Sequence, residues 1–122
     1  MKKPRRDAVR EDRIHEEAIV DAYGPEEQAL GWYYYLENKI HFPFSAKCIA
    51  GNPLSPLRKG EMVSVRRLAQ EQPCAHDMLV RVAWQGRNLA IPLSQLIPVD
   101  ADLSTSEAVG DWHYWVARGY LL

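Results

Sequence analysis

The sequence predicts an α+β fold: two N-terminal helices packed on a small SH3-like antiparallel β-barrel, followed by a short C-terminal helix. Three changes of pattern support this prediction. Apolar residues recur at helical spacing up to about residue 40, alternate with polar residues from about 44 to 99, and return to helical spacing after residue 100. We expect one domain, with a helical part at 1–40 that opens on a basic arm, the barrel at 41–99 and an aromatic-rich segment at 100–122.

The first helix is expected over residues 7 to about 22, where small and aliphatic side chains repeat every four positions. Gly24 and Pro25 separate it from the second helix, because glycine tolerates the conformation at a helix end and proline is favoured at the first helical position. The second helix should run to about Asn38.

The second helix carries a run of four aromatic residues, Trp32, Tyr33, Tyr34 and Tyr35. Consecutive helical side chains point in directions about 100° apart, so no single helix face can hold all four rings. We expect most of them to cover the barrel as core residues, with Tyr33 on the main apolar stripe. The alternative is that part of the run forms a binding surface.

Five segments after the second helix predict short strands, and two of them predict a hairpin through the turn QGR. The segments are FSAKCIA, EMVSVRRLA, HDMLVRVAW, NLAIPL and SQLIPV. Such short strands would close their edges as a small barrel. Ser104 and Glu107 then predict a capping box at the start of the last helix.

Composition and motifs argue against several classes of protein. No apolar run approaches the roughly 18 residues of a membrane span, and no apolar core follows the basic N-terminus, so we expect a cytoplasmic protein without membrane contact. A pI near 6.4 argues against a nucleic-acid partner. Cys48 and Cys74 have no metal-ligand spacing, and no set of nucleophile and base is recognisable, so we expect neither a zinc site nor an enzyme.

Charge is distributed unevenly along the chain. Residues 14–37 contain six carboxylates and no Lys or Arg, whereas residues 1–13 carry a net charge of plus three. The segment from Asp100 onward holds four carboxylates against Arg118 alone. Carboxylates that meet in space repel one another, and either basic neighbours or a divalent cation with oxygen ligands would offset that repulsion.

The acidic tail matches an EF-hand loop only in part. Oxygen-bearing side chains stand at positions 1, 3, 5, 7 and 12 of a 12-residue stretch, at Asp100, Asp102, Ser104, Ser106 and Asp111. Thr105 stands where the turn glycine belongs, and Asp111 is too short to replace the usual bidentate glutamate. We expect no EF-hand, but a looser calcium site that uses some of these oxygens remains an alternative to a simple polar connection.

Five motifs in order along the chain resemble a known family. They are EEQALGWYYYLE, FPF, SPLRKGE, AIPLSQL and DWHYW, within about residues 10 to 120. Together they resemble the small bacterial calcium-binding proteins of the cyanobacterial CcbP type. The resemblance implies a cytoplasmic protein that binds Ca²⁺ through acidic side chains outside any EF-hand and acts as a calcium buffer or sensor.

The predicted metal ligands combine this resemblance with the acidic tail. The acidic residues within the matching motifs are Glu26, Glu27, Glu37, Glu61 and Asp111, and the tail adds Asp100 and Asp102. We expect carboxylates of the two acidic segments to converge beside the aromatic helix and to hold one or two calcium ions. The alternative is a metal-independent SH3-like module that meets a protein partner through exposed aromatic residues or the basic arm.

Overall fold

The computed structural model of the chain describes residues 4–51, 56–69 and 78–119. Helix α1 (Ala8–Arg13) continues into a π-helical turn (Ile14–Ala18), and α2 (Pro25–Lys39) and α3 (Leu103–Ala117) complete the helices of these ranges. Between α2 and α3 the same ranges contain β1 (Phe44–Cys48), β2 (Met62–Leu68), β3 (Leu79–Trp84), β4 (Arg87–Pro92) and β5 (Leu96–Val99). A 3₁₀ turn (Leu93–Gln95) joins β4 to β5. The predicted α+β class is confirmed.

The strands form an antiparallel sheet in the order β4-β3-β2-β1-β5. Buried residues alternate along β1 and over the first part of β3, as expected when one face of a sheet supplies the core. Among the described strands β4 and β5 do not pair with each other, so the sheet is open and the predicted closed SH3-like barrel is not confirmed. β4 ends at Pro92, which has no N–H to extend a ladder, and the four-residue β5 pairs only with β1 in the described part of the chain.

The hairpin between β3 and β4 agrees with its sequence signal. Trp84 pairs with Arg87, so the loop consists of Gln85 and Gly86 alone. Both loop residues have positive φ, at 48° and 75°, as in the tight turns whose twist matches that of paired strands. The turn predicted from QGR is therefore confirmed.

The predicted boundaries hold for α2 and need correction for the other helices. α2 begins at Pro25, as predicted, and ends at Lys39, next to the predicted Asn38. The first helix ends earlier than predicted, in the π-helical turn at Ala18. α3 is 15 residues long, as long as α2, and is not a short helix.

The cap of α3 also differs from the prediction. Asp102 is the N-cap, and its carboxylate accepts a hydrogen bond from the backbone N–H of Thr105 at 2.8 Å. Ser104 lies inside the first turn, where its hydroxyl donates to the carbonyl oxygen of Lys39 at 2.7 Å. Glu107 pairs with the Lys39 ammonium instead of closing a capping box. Asp102 and Ser104 are both residue types that favour the N-cap position. The contact of Ser104 with α2 leaves Asp102 as the cap.

Trp32 connects α2 to α3 through the aromatic core. Its ring centroid lies 5.0 Å from that of Trp112 and 5.8 Å from that of Trp115. All three indoles are buried. Because aromatic side chains bury large areas, this cluster is a main apolar contact between the two helices.

The aromatic run divides between core and surface. Trp32 and Tyr35, one turn apart on α2, are buried, whereas Tyr33 is partly buried and Tyr34 is 55% exposed. The core face of α2 therefore carries Trp32 and Tyr35, while Tyr33, predicted on the main apolar stripe, is partly buried and packs against the core. The 3.6-residue period of the sequence is compatible with more than one buried face of α2, and packing against α3 determines which face is buried.

The structure bears on two expectations from the sequence, one about membrane spans and one about metal binding by cysteine. None of the described helices has the length and apolarity needed to cross a membrane. Cys48 is buried with a free thiol that donates to the carbonyl oxygen of Ala50 at 3.2 Å. Cys74 and His76, the one close pair of soft ligands in the sequence, lie outside the described residues.

α2 approaches the π-helical turn closely at Gly31. A Cβ atom at this position would lie 2.3 Å from the backbone oxygen of Ala18, inside the distance that real Cβ atoms keep. The missing side chain thus allows the two backbones to pack directly against each other.

Gly31→Ala should therefore destabilise the protein, by about 1 to 3 kcal/mol in the free energy of unfolding. Helix propensity alone would predict a gain of about 1 kcal/mol for the same change, so the sign is informative. Urea unfolding of both proteins measures it. Gly24→Ala is the matched control, because a Cβ at Gly24 meets no atom within 4 Å. A stability gain in Gly31→Ala would show that the close approach is incorrect.

His113 fastens α3 to β5. Its Nε2 donates a hydrogen bond to the carbonyl oxygen of Leu96 at 2.6 Å. Burial lowers the pKa of His113 below the ordinary histidine value of 6.5. The unfolded chain therefore binds this proton more readily than the folded chain, and the stability linked to His113 is lost as the pH falls through 6.5.

We expect the free energy of unfolding to fall between about pH 7.5 and pH 5.5, and to fall less in His113→Gln. Denaturant unfolding at several pH values measures the two slopes. His15→Gln, which replaces an exposed histidine, is the control for the loss of one imidazole. Equal slopes in wild type and His113→Gln would contradict the assignment.

Candidate metal site

The seven predicted ligands fall into four places in the structure. Asp100 and Asp102 lie between β5 and α3, Glu61 lies just before β2, and Asp111 lies within α3. The remaining three, Glu26, Glu27 and Glu37, are exposed on α2. Within residues 4–51, 56–69 and 78–119, no three His, Cys, Asp or Glu side chains form a group able to hold a metal ion. The predicted convergence of the two acidic segments around a common ion is not observed in these ranges.

Asp100 and Asp102 line the same surface pocket, of about 500 Å³. Asp100 adopts a left-handed backbone with φ of 55°, a conformation that aspartate tolerates better than most residues. The hydroxyl-bearing Ser45 and Thr105 line the same pocket, on β1 and α3. This loop pocket, defined by Asp100, Asp102, Ser45 and Thr105, thus brings together oxygen atoms of the kind that hard cations prefer.

The carboxylate of Asp102 is already engaged. One oxygen accepts a hydrogen bond from the backbone N–H of Thr105 at 2.8 Å. The other oxygen contacts Nδ1 of His41, a residue that lines the same pocket. The hydrogen bond with His41, followed by that with Thr105, lowers the pKa of Asp102 to about 2. Asp102 is therefore ionised at neutral pH, and a cation would have to share it with these donors.

Glu61 lines a neighbouring pocket of about 360 Å³. The two pockets share Ser45 and Met62, so Glu61 lies on the next stretch of surface. Its carboxylate accepts hydrogen bonds from Nε1 of Trp84 at 2.8 Å and from the backbone N–H of Arg58 at 2.7 Å. The Trp84 bond is the main cause that lowers the pKa of Glu61, so this carboxylate is also charged.

Two of the three acidic residues of α2 have a structural explanation, and the third has none. Glu26 and Glu27 stand in the first turn of the helix, where negative charge is favourable against the helix dipole. Glu27 also accepts the backbone N–H of Tyr23 at 3.0 Å. Glu37 is exposed near the other end of the helix. A ligand role for these residues stays a prediction.

Asp111 occupies a different environment, fully buried between the helices. Both of its oxygens pair with the guanidinium of Arg13, at 2.7 and 3.0 Å, and Nη1 of Arg10 lies 3.4 Å away. The hydroxyl of Tyr35 donates to Asp111 at 2.6 Å. The pairing with Asp111 raises the pKa of Arg13, and burial together with the same carboxylate raises the pKa of Tyr35. Protein donors therefore surround this carboxylate.

Two more carboxylates extend this arrangement into an ionic cluster. Glu107 of α3 pairs with Lys39 at 2.5 Å and with Arg13 at 3.4 Å. Glu11 of α1 is buried and accepts the hydroxyl of Tyr114 at 2.6 Å. The basic N-terminal segment and Lys39 thus offset the acidity of α3, which was one of the two solutions that the charge pattern allowed.

Sequence reasoning missed several residues of both sites. His41 and Ser45 of the loop pocket precede or lie on β1, far along the chain from the acidic tail, and no local pattern marks them. The arginine partners of Asp111 had a visible signal, since a basic first segment and an acidic last segment have complementary charge.

A family model and two solved structures match the chain. The model of the CcbP family, described as calcium binding, matches residues 12–116. The crystal structure of CcbP from Anabaena is 41% identical to the chain, with a TM-score of 0.88 and full coverage of both chains. A structure described as a calcium binding protein in the calcium-binding form is 40% identical, with a TM-score of 0.85 and full coverage of both chains. No curated protein shows a significant match.

We expect Asp111→Asn to lower the free energy of unfolding by about 3 kcal/mol, because it leaves Arg13 and Arg10 without their buried counter-ion. Mutual repulsion of carboxylates would instead make the same change stabilising, so the sign decides between the two descriptions. Urea unfolding in the presence of a chelator measures it.

Glu37→Gln is the matched control for Asp111→Asn. It removes one carboxylate from the exposed surface of α2, and its effect should stay within about 0.5 kcal/mol. A stability gain in Asp111→Asn would refute the ionic cluster as a stabilising element.

Proposed function

Because the chain belongs to the CcbP family of calcium-binding proteins, we propose that it binds Ca²⁺ itself, outside any EF-hand, and acts as a cytoplasmic calcium buffer or sensor. The family is a calcium-binding family and not an enzyme family. The observation that carries the proposal is the 40% identity, over the whole chain, to a protein in its calcium-binding form.

The first calcium site that we propose is the loop pocket with Asp100 and Asp102. Ca²⁺ takes six to eight oxygen ligands from carboxylates, carbonyl groups and water. Two carboxylates in one open pocket, with a hydroxyl from Ser45, are a fitting part of such a donor set, and backbone carbonyl groups and water would complete it. When bound, the ion would neutralise the charge that gathers at the start of α3.

Binding in the loop pocket would have a local cost. Asp102 and His41 both line the pocket and contact each other there, so an ion bound to that oxygen of Asp102 would compete with the imidazole for it. The cap to Thr105 uses the other oxygen, and a carboxylate has about four lone-pair directions. The cap of α3 is therefore compatible with a bound ion, whereas the His41 contact would weaken.

The other predicted ligands differ in how readily they would bind calcium. Glu61 is next in order, because its pocket adjoins the loop pocket through Ser45 and Met62. The exposed carboxylates of α2 would need ligands from elsewhere to form a tight site. Asp111 ranks last, since a cation would first have to displace Arg13 and Tyr35 from a buried position.

Calorimetric titration of chelator-stripped protein tests the proposal. We expect saturable Ca²⁺ binding with a dissociation constant on the order of micromolar, and much weaker binding of Mg²⁺, which demands stricter geometry. Asp100→Asn and Asp102→Asn should each weaken Ca²⁺ binding at least about tenfold, because each removes a formal charge from the ligand set.

These two variants preserve the local structure. Asparagine caps helices as well as aspartate does, and it tolerates the left-handed backbone of residue 100. Glu37→Gln changes a carboxylate that does not line the loop pocket, so this control variant should bind Ca²⁺ like wild type. A flat titration would contradict calcium binding, whereas normal binding by both tail variants would contradict only the choice of site.

A second candidate function is a metal-independent interaction with a protein partner. Leu30 and Tyr34, one helical turn apart on α2, are 54% and 55% exposed, and Tyr23 is 87% exposed. Exposed aromatic and aliphatic side chains of this kind are common at protein interfaces. A flat calcium titration would favour this function over the first.

A further inference from the structure

The side of α2 that points away from the core carries exposed apolar side chains. Trp32, Tyr35 and Leu36 are the buried residues of this helix. At about 100° per residue, Leu30 lies on the opposite side of the helix from them, and Tyr34 follows one turn later. Leu30 is 54% exposed and Tyr34 is 55% exposed. The two side chains form an apolar strip on the helix surface, since residues four positions apart are neighbours.

Carboxylates border this apolar strip on both sides. Glu27 lies on one side of it and Glu26 and Glu37 lie on the other, all within an arc of about 100° around the helix axis. All three glutamates are exposed. None of them belongs to an ion pair between described residues. We call the surface made of Leu30, Tyr34 and these three glutamates the α2 face.

The basic residues next to the α2 face in sequence are engaged elsewhere. Residues 14–37 contain six carboxylates and no Lys or Arg. Arg13 pairs with Asp111 and Glu107 of α3, and Lys39 pairs with Glu107. An apolar strip bordered by unpaired negative charge is complementary to a surface on which Lys or Arg borders apolar side chains.

We propose that the α2 face docks a basic amphipathic segment of a partner protein. Apolar side chains of that segment would cover Leu30 and Tyr34, and its Lys or Arg side chains would pair with the bordering glutamates. An arginine would also find the ring of Tyr34 attractive, because the face of an aromatic ring attracts cations. This inference rests on the second candidate function, an interaction with a protein partner, and is independent of calcium binding.

Charge argues against other occupants of the α2 face. Two copies of the chain joined through this face would bring their glutamates together, and like charges across an interface are costly. An anionic lipid surface or a nucleic-acid backbone would be repelled for the same reason. A basic segment gains from the same charges, both in its rate of association and in its orientation.

Fluorescence anisotropy with a labelled model peptide tests the proposal. The probe is an amphipathic peptide of Leu and Lys, about four helical turns long. A peptide of the same composition in scrambled order lacks the apolar face, and a Leu–Glu peptide reverses the charge. A chelator removes calcium from the assay. We expect the Leu–Lys peptide to bind with a dissociation constant on the order of 10 μM and the other two to bind at least about tenfold more weakly.

Leu30→Ser and Leu103→Ser make the same substitution at two exposed positions. Leu103, at the start of α3, is 81% exposed and is the matched control. Leu30→Ser and Tyr34→Ser should each weaken binding of the Leu–Lys peptide about fivefold or more, whereas Leu103→Ser should change it less than about twofold. Circular dichroism verifies that each variant is folded, as expected for changes at exposed positions.

A second pair of variants tests the contribution of charge. Glu37→Gln removes a carboxylate of the α2 face, and Asp12→Asn removes an exposed carboxylate of α1. Glu37→Gln should weaken binding of the Leu–Lys peptide about threefold at low salt and reduce its salt dependence, because the attraction between exposed charges is screened. Asp12→Asn should have the smaller effect.

Several results would overturn the proposal. Equal binding of the ordered and scrambled Leu–Lys peptides, or an equal loss in Leu30→Ser and Leu103→Ser, would mean nonspecific attraction. Self-association of the protein that disappears in Tyr34→Ser would assign the α2 face to a second copy. Binding of the Leu–Glu peptide that depends on Tyr34 would reject a basic partner but keep the docking function. Failure of all three peptides to bind would count against both.

Discussion

The buried carboxylate of Asp111 is the interaction on which the helical half of the protein depends. It meets Arg13 from α1 and Tyr35 from α2, while belonging to α3 itself. A buried carboxylate is costly unless charged and hydrogen-bonding partners surround it, so the three helices must keep their relative positions for the charge to be tolerated. The indoles of Trp32 and Trp112 pack between the same helices and supply the apolar part of the contact.

This cluster also determines which acidic residues remain available for a cation. The basic N-terminal segment neutralises Asp111 and contributes to pairing Glu107, so protein groups already compensate the charge of these carboxylates. Asp100 and Asp102 lie between β5 and α3 and line an open pocket instead. The chain thus separates the carboxylates of the ionic cluster from the carboxylates that we propose to bind calcium.

The sequence predicted the elements better than their assembly. Alternating apolar residues gave the strands, and Pro25 gave the start of α2, because both signals depend on local geometry. The open sheet, the π-helical turn and the cap at Asp102 depend on contacts between distant segments, which no local pattern encodes. For the candidate site, the acidic tail drew attention to Asp100 and Asp102, which line one pocket, and their role as ligands stays a prediction. The contact of Asp111 with Arg13 joins residues 98 positions apart and was not predicted.

We propose that calcium binds at the loop pocket while the ionic cluster stays closed. A calcium titration followed by NMR tests it directly, since backbone amides report on residues near Asp100 and Asp102 and the arginine Nε–H groups report on the cluster. We expect saturable shifts around these two residues and an unchanged Nε–H signal of Arg13. A large shift of the Arg13 signal, with little change in the loop, would contradict it and would mean that calcium replaces arginine at Asp111.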